Sequence, residues 1–368
     1  MTISIDIERT VEEAIKNIAY VAIFFITLYC CHSIERQRAL LISIALVATL
    51  LSIWVTSTAV VGLVNDGSYT HVTGSFVNKN HFAAFLNMGI AAAVGIILSA
   101  GLSERRSENR QGVSSFIVAR LMDWRWHMVV YLSVLIITLL FSMSRGAWMA
   151  LIMSMLIVLV VIHNSKHNRE WSFSTFVMLI SVVGLTMLLA GGEVLIQRMS
   201  ELGQDAVSRQ GIWKITVAII KDFPLFGVGA GNYQYIYPSY DNGVVSSYVD
   251  HAHNDYLQLL AEQGVVSVML LGLVIIRCLG SAVKTIRYSH NMISSAFAAS
   301  ALLGCSVMLL HGIVDFNFYI PSNAVYFFVF LAMAHMAGFP AHSEAHRSRY
   351  RRSADRRVKS VRQATLGS

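Results

Sequence analysis

A chain of 368 residues that is 55% hydrophobic and only 13% charged is too apolar for a soluble domain; such domains carry roughly a quarter charged residues. It reads as an integral membrane protein. The net charge of +7 is not a nucleic-acid signal, because the basic residues sit in blocks beside apolar runs.

Residues 1–17 place Ile7, Val11, Ile15 and Ile18 on one helical face and Glu8, Glu12, Glu13 and Lys16 on another, which predicts a short interfacial helix. There is no basic start and no small-residue cleavage site, so it is not read as a signal peptide. Apolar runs at 18–32, 40–64, 82–101, 127–143, 146–162, 172–190, 264–280, 292–312 and 321–338 predict membrane spans. Most approach the roughly 20 residues a bilayer requires. The expected fold is an all-α integral membrane protein of about nine transmembrane helices, with a large, partly helical outward loop between spans six and seven. The corresponding division is an amphipathic segment 1–17, six helices in 18–190, a loop 191–263, three helices in 264–338 and a basic tail 339–368. Cys30, Cys31, Cys278 and Cys305 lie in apolar runs or at their ends, fit no metal-site spacing and read as small apolar fillers.

Sidedness follows from the basic residues. Most of the 28 Lys and Arg fall in the links holding Arg36/Arg38, Arg105–Arg125, Lys166/Arg169 and Arg277–Arg287, and in the tail Arg347–Arg362. The positive-inside rule makes that side cytoplasmic. The tail is poor in apolar residues and is expected to be disordered against anionic lipid. The opposite side then carries 65–81, the tight corner 143–146, the stretch 191–263 and the short 313–320, and the polar constellations gather there.

The densest is Asp250-His-Ala-His-Asn-Asp-Tyr256, which runs into apolar positions at helical spacing. His251, His253 and Asn254 should stand at or just before a helix N-terminus, where free N–H groups and the dipole favour an anion. Histidine is the side chain suited to moving a proton near neutral pH. The plainer reading is a capping cluster in which Asp250 or Asn254 closes the helix. Upstream, Asn78-Lys79-Asn80-His81 forms a polar cap at the start of an apolar helix. Ser144-Arg145-Gly146 joins two spans with almost no loop. An arginine there costs several kcal/mol to desolvate unless an anion or acid meets it; snorkelling is the alternative. Arg209 and Trp213 are four apart on a helical segment and share a face. The glycines at 227, 229 and 231 form a loop that is no dinucleotide fingerprint, since no strand–helix–strand unit surrounds it. Asp315 either neutralises an outward arginine or is an interfacial turn residue.

Together, and in this order, these pieces resemble the O-antigen ligase / O-antigen polymerase superfamily of bacterial membrane glycosyltransferases. His253-Asn254 followed by Gly264 has the family's spacing. Ser267 stands where Gly, Thr or Tyr is usual. The Ser-Arg-Gly turn, the Arg-x-x-x-Trp helix, the Pro224–Gly229 loop and the Asn80 helix start also match, over roughly residues 50–335. Family members usually carry further spans ahead of the first one here, so the resemblance implies a chain lacking its first few helices, supplied by a partner or lost with activity.

The resemblance implies a glycan donor on an undecaprenyl-diphosphate lipid, a lipid A core or glycan acceptor, and a site on the outer face of the bacterial inner membrane. Arg145 and Arg209 would grip the diphosphate and His253 would act on the acceptor, with Asp250, Asn254, Trp213, Asn80, Lys79 and Asp315 in support. Neither nucleic acid nor cofactor is implied. The residues agree chemically: arginine forks suit phosphate oxygens. No acidic cluster suited to Mg²⁺ stands out on this side, so the arginines are expected to replace a metal. The alternative is a flippase-like transporter of the same lipid, which would place ionisable residues nearer mid-membrane.

Overall fold

The computed structural model describes residues 4–66, 72–100, 124–167, 209–241 and 248–338. Among them every regular element is a helix. In chain order these are α1 (Ile7–Cys30), α2 (Ile34–Asp66), α3 (Lys79–Ala100), α4 (Trp124–Ser142) and α5 (Arg145–His163). Then come α6 (209–222), α7 (Tyr233–Ile236), α8 (Asp255–Tyr288), α9 (Met292–His311) and α10 (Pro321–Met336). Among the described residues six helices, α1, α2, α3, α5, α8 and α9, are long and apolar enough to cross a membrane. Two shorter apolar stretches, Val130–Ser142 in α4 and Pro321–Met336, accompany them. The span expected at 172–190 and the basic tail lie outside the described residues.

The N-terminus differs from the expected interfacial helix followed by a span. α1 is one unbroken 24-residue helix capped by Asp6, whose side chain accepts from the backbone of Glu8 and Arg9. The polar and apolar halves continue the same i, i+4 register, and no Pro or Gly interrupts them. The segment before the cap is anchored far along the chain: Ile5 N donates to Val228 O, and Asp6 N to Asn232 Oδ1.

α3 and α9 form the centre. Both are mostly buried, and α9 presents Ser295, Ala296, Ala298, Ala299, Ser300 and Ala301 to its neighbours. In lipid there is little hydrophobic drive between helices, so close packing through small residues and interhelical hydrogen bonds holds a bundle together. Ser300 Oγ donates to Ala91 O at 2.7 Å across the α3–α9 contact, a bond of a kind worth about 0.6 kcal/mol on average. The other long helices surround this pair, and α1 packs on α10 through Tyr20 stacked on Phe328.

The helix ends sort into two groups. At one end the starts of α3, α5, α8 and α10 meet the end of α9: Ser144 Oγ donates to Asn80 Oδ1, Asp255 N to Gly312 O, and Asn323 Nδ2 to His81 O. At the other, Ser165 Oγ donates to Ile286 O and Thr285 Oγ1 to Ala337 O. Every residue singled out for chemistry stands at or near the first end.

Candidate active site

α8 starts where the sequence pattern places it. Asn254 is the N-cap, its side chain accepting from Tyr256 N and Leu257 N at 3.0 Å each; the capping reading therefore holds for Asn254. His253, just outside the helix, has φ +49. That left-handed conformation is uncommon for a residue with a Cβ. Eleven residues after His253, Gly264 interrupts α8 with φ 71 and ψ 177, a region essentially restricted to glycine. The freed backbone pairs with the loop before it: Val265 N donates to Pro224 O and Val266 N to Leu225 O. A Cβ at 264 would strike the Leu225 carbonyl. The spacing from His253 to Gly264 thus measures a short helix, from its cap to the kink against which the Pro224–Phe226 loop is laid.

His253 faces Asp315. Its Nδ1 lies 3.9 Å from Asp315 Oδ1, and His81 Nε2 approaches the same oxygen at 3.4 Å. Both separations exceed a well-formed hydrogen bond. Oδ1 also accepts from Phe316 N at 2.9 Å. Asp315 is 1% exposed and His253 30%. Burial pushes the Asp315 carboxyl up, but the imidazoles of His253, His81 and His311 outweigh it and hold the carboxyl below the usual carboxylate range. Asp315 is therefore no surface turn residue, and the ring nitrogens nearest its carboxylate are those of His81 and His253. Phe316 sits among three imidazoles, stacked on His251 at 4.1 Å and meeting His81 and His253 edge-on at 4.5 and 5.0 Å.

Arg209 is the first described residue of α6, and its guanidinium donates to Val314 O at 2.7 Å. Four residues on, Trp213 Nε1 donates to Ala252 O at 2.9 Å, so one face of α6 grips both the 249–253 loop and the 312–316 turn. Arg145 is the first residue of α5, behind its N-cap Ser144. Gly146 leaves the space its neighbour requires: a Cβ there would stand 3.0 Å from His311 Nε2 and 3.1 Å from Val314. Arg209 and the residue after Arg145 thus both abut the His311–Val314 turn. Lys79 opens α3, and Asn80 is bonded to the Arg145 corner through Ser144.

His251 does not share the role of His253. It is packed against Phe316 and Tyr319 and tied to Gln258, whose Nε2 donates to His251 Nδ1 at 2.9 Å while Oε1 accepts from Ala252 N. Burial lowers its pKa, so the ring is kept neutral. Asp250 is exposed beside it.

Sequence reading missed His81 and His311 as neighbours of Asp315, and Glu262. The last is fully buried within α8 and accepts from Gly231 N, Tyr233 N, Gln258 Nε2 and Tyr319 Oη. It fastens the glycine loop to the short helix. An acid in an amphipathic stretch carries no local sign of such a role; one hint was its helical register with Gln258 and Asp255. Among the described residues no group of three or more His, Cys, Asp or Glu is arranged to hold a metal.

No curated protein matches the chain. The family model described as O-antigen ligase matches residues 130–272, the stretch that contains Arg145, Arg209, Trp213, His253, Asn254 and Gly264. Over that stretch the chain is similar to the O-antigen ligase family.

Proposed function

We propose that this protein is a glycosyltransferase that moves or polymerises a glycan from an undecaprenyl-diphosphate donor onto an acceptor hydroxyl at the outer face of the inner membrane. The observation that carries this is the joining, at one end of the bundle, of two helix-borne arginines and a partly exposed histidine backed by a buried carboxylate. The basic links at the other end support placing that end in the cytoplasm.

The donor's diphosphate is the leaving group. Arg145 and Arg209 neutralise it, and α5 aims its N-terminal N–H groups to the same side. His253 Nε2 takes the proton of the acceptor hydroxyl as its oxygen attacks the anomeric carbon. The new C–O bond forms, the bond from that carbon to the phosphate oxygen breaks, and the diphosphate leaves with the electron pair. Asp315 stabilises the imidazolium that results. Direct displacement inverts the anomeric centre. The test is transfer from synthetic lipid-linked oligosaccharide by purified protein in nanodiscs, with the product anomer read by NMR. Inverted product is expected; absence of transfer to both lipid A core and glycan acceptors overturns the reading.

A further inference from the structure

His81 has no part in the chemistry above, yet it is buried against the same carboxylate as His253. We infer that His81 is a positioning residue, the second imidazole on Asp315, which holds the carboxylate where it fixes the Nδ1–H tautomer of His253 and leaves His253 Nε2 free for the acceptor. This rests on the proposed function only for the use made of His253; the arrangement itself stands on geometry.

Three polar atoms converge without a hydrogen-bond partner: His81 Nε2, His253 Nδ1 and Asp315 Oδ2, all buried. Leaving even one such group unpaired is costly, so a native structure has a use for each. The 3.4 Å approach of His81 needs to close by only a few tenths of an ångström to become a hydrogen bond to Asp315. Phe316 fixes the directions. Both imidazoles meet its ring edge-on, at 76° and 73°, so the two rings are set around the residue next to Asp315 in similar attitudes. His81 is also held from its backbone, where Asn323 Nδ2 donates to His81 O at 3.0 Å. The adjacent Asn80 is bonded to the N-cap of the Arg145 helix, so this one turn of α3 touches both halves of the site.

The other charged or titratable groups facing this cluster are His311 from α9, Asp255 from α8, Arg209 from α6, and Asp250 and His251 from the loop of His253. Arg145 flanks Gly146, which abuts His311. None of them makes a closer contact with Asp315 Oδ1 than His81 does among the ion-pair distances seen. With His81 donating to Asp315, the carboxylate's charge is divided between two imidazoles. Without it, the whole charge falls on His253 and favours its protonated form.

The test reads His253 directly and requires no donor. The full chain in nanodiscs is treated with diethylpyrocarbonate across pH 5–8, and carbethoxylation at His253 is followed by peptide fragmentation that separates it from His251. The reagent attacks the neutral ring, so the midpoint reports the His253 titration. His81→Ala should raise that midpoint by about half a unit to one unit. His81→Gln, whose Nε2 can stand in for the lost donor, should leave it near wild type, and Asp315→Asn should lower it. His81→Asn, too short to reach, should behave as alanine does and decides the matter if His81→Ala fails to fold. An unmoved midpoint in a folded His81→Ala or His81→Asn protein overturns the inference, as does a glutamine variant shifted as far as alanine. Loss of glycan transfer in the wild type with these shifts intact would overturn the proposed function alone.

Discussion

At one end of the bundle Ser165, Lys166 and Thr285 close helix ends onto the carbonyls of Ile286, Arg287 and Ala337. That end leaves Arg287 Nε without a partner; at the other, helix ends also meet, but around a cluster of such atoms: His81 Nε2, His253 Nδ1, His311 Nδ1 and Asp315 Oδ2. The second end also holds the two non-glycine residues with positive φ among the described residues, Met143 and His253, which flank the Arg145 corner and the α8 cap. Ends of the first kind hold a bundle together. Ends of the second kind carry unpaired polarity and backbone strain, the combination expected where a ligand completes the structure.

The sharpest way to break this comparison is at His253. His253→Ala should lower single-turnover glycan transfer by about 10²–10⁴-fold, the usual worth of general acid–base help, with donor binding retained. His251→Ala should cost far less, because that ring serves Gln258 and Phe316. Near-wild-type transfer by His253→Ala would remove the base from the proposal. Loss of donor binding as deep as an arginine variant's would make the histidine a phosphate ligand.

Next come the arginines, where the two ends can be set against each other. Arg145→Lys and Arg209→Lys keep the charge and lose the planar fork, and each should reduce transfer on the order of 10-fold or more. Arg287→Lys, at the opposite end against Tyr288, should leave the rate unchanged. Similar losses at all three would mean that positive charge matters wherever it sits.

Gly264→Ala sharpens the comparison through backbone alone. The φ and ψ there cost a residue with a Cβ roughly 1–3 kcal/mol, and the Leu225 carbonyl stands in the way. Thermal unfolding in nanodiscs should fall by several degrees, and transfer should fall with it as Pro224–Phe226 is displaced from the short helix. A variant as stable as wild type would mean that the kink is not required.

The smallest effect is on pH dependence. Burial lowers the folded-state pKa of His251 below its ordinary 6.5. Between that lowered value and about 6.5 the unfolded chain binds a proton that the folded one does not. The stability from a neutral His251 is therefore fully present above about 6.5 and declines as pH falls toward the folded value. His251→Phe keeps a ring on Phe316 without the titration, so its melting temperature should drop less between pH 7 and 5, by on the order of 1–2 °C. An identical drop in both proteins would show that His251 is not the group responsible.

Much of this was legible in the chain. Apolar runs of bilayer length marked the helices, because in lipid the backbone must satisfy itself along each span. The cap at Asn254, the corner at Ser144-Arg145 and the interval from His253 to Gly264 were legible for a related reason. Each is settled by hydrogen bonds and dihedrals within one or two turns, so residue type and spacing suffice. The continuity of α1 was not, since the mixed face of residues 7–17 suits an interfacial helix as well as the first turns of a longer one.

Tertiary structure alone decided which groups share a charge. His81, His253 and the His311–Asp315 turn come from three separate segments, and nothing local tells a histidine whether its partner will be a carboxylate, a ring or solvent. Asp315, readable as a turn residue or as an arginine's counter-ion, became the acid beneath the histidines because the end of α9 turns inward there. Glu262, unremarkable within its helix, became the acceptor that fastens the glycine loop because the kink at Gly264 brings Gly231 and Tyr233 over it. Local pattern sets where the helices start and stop. Which of their ends meet, and therefore which charges must be matched, is set by packing between segments distant in the chain.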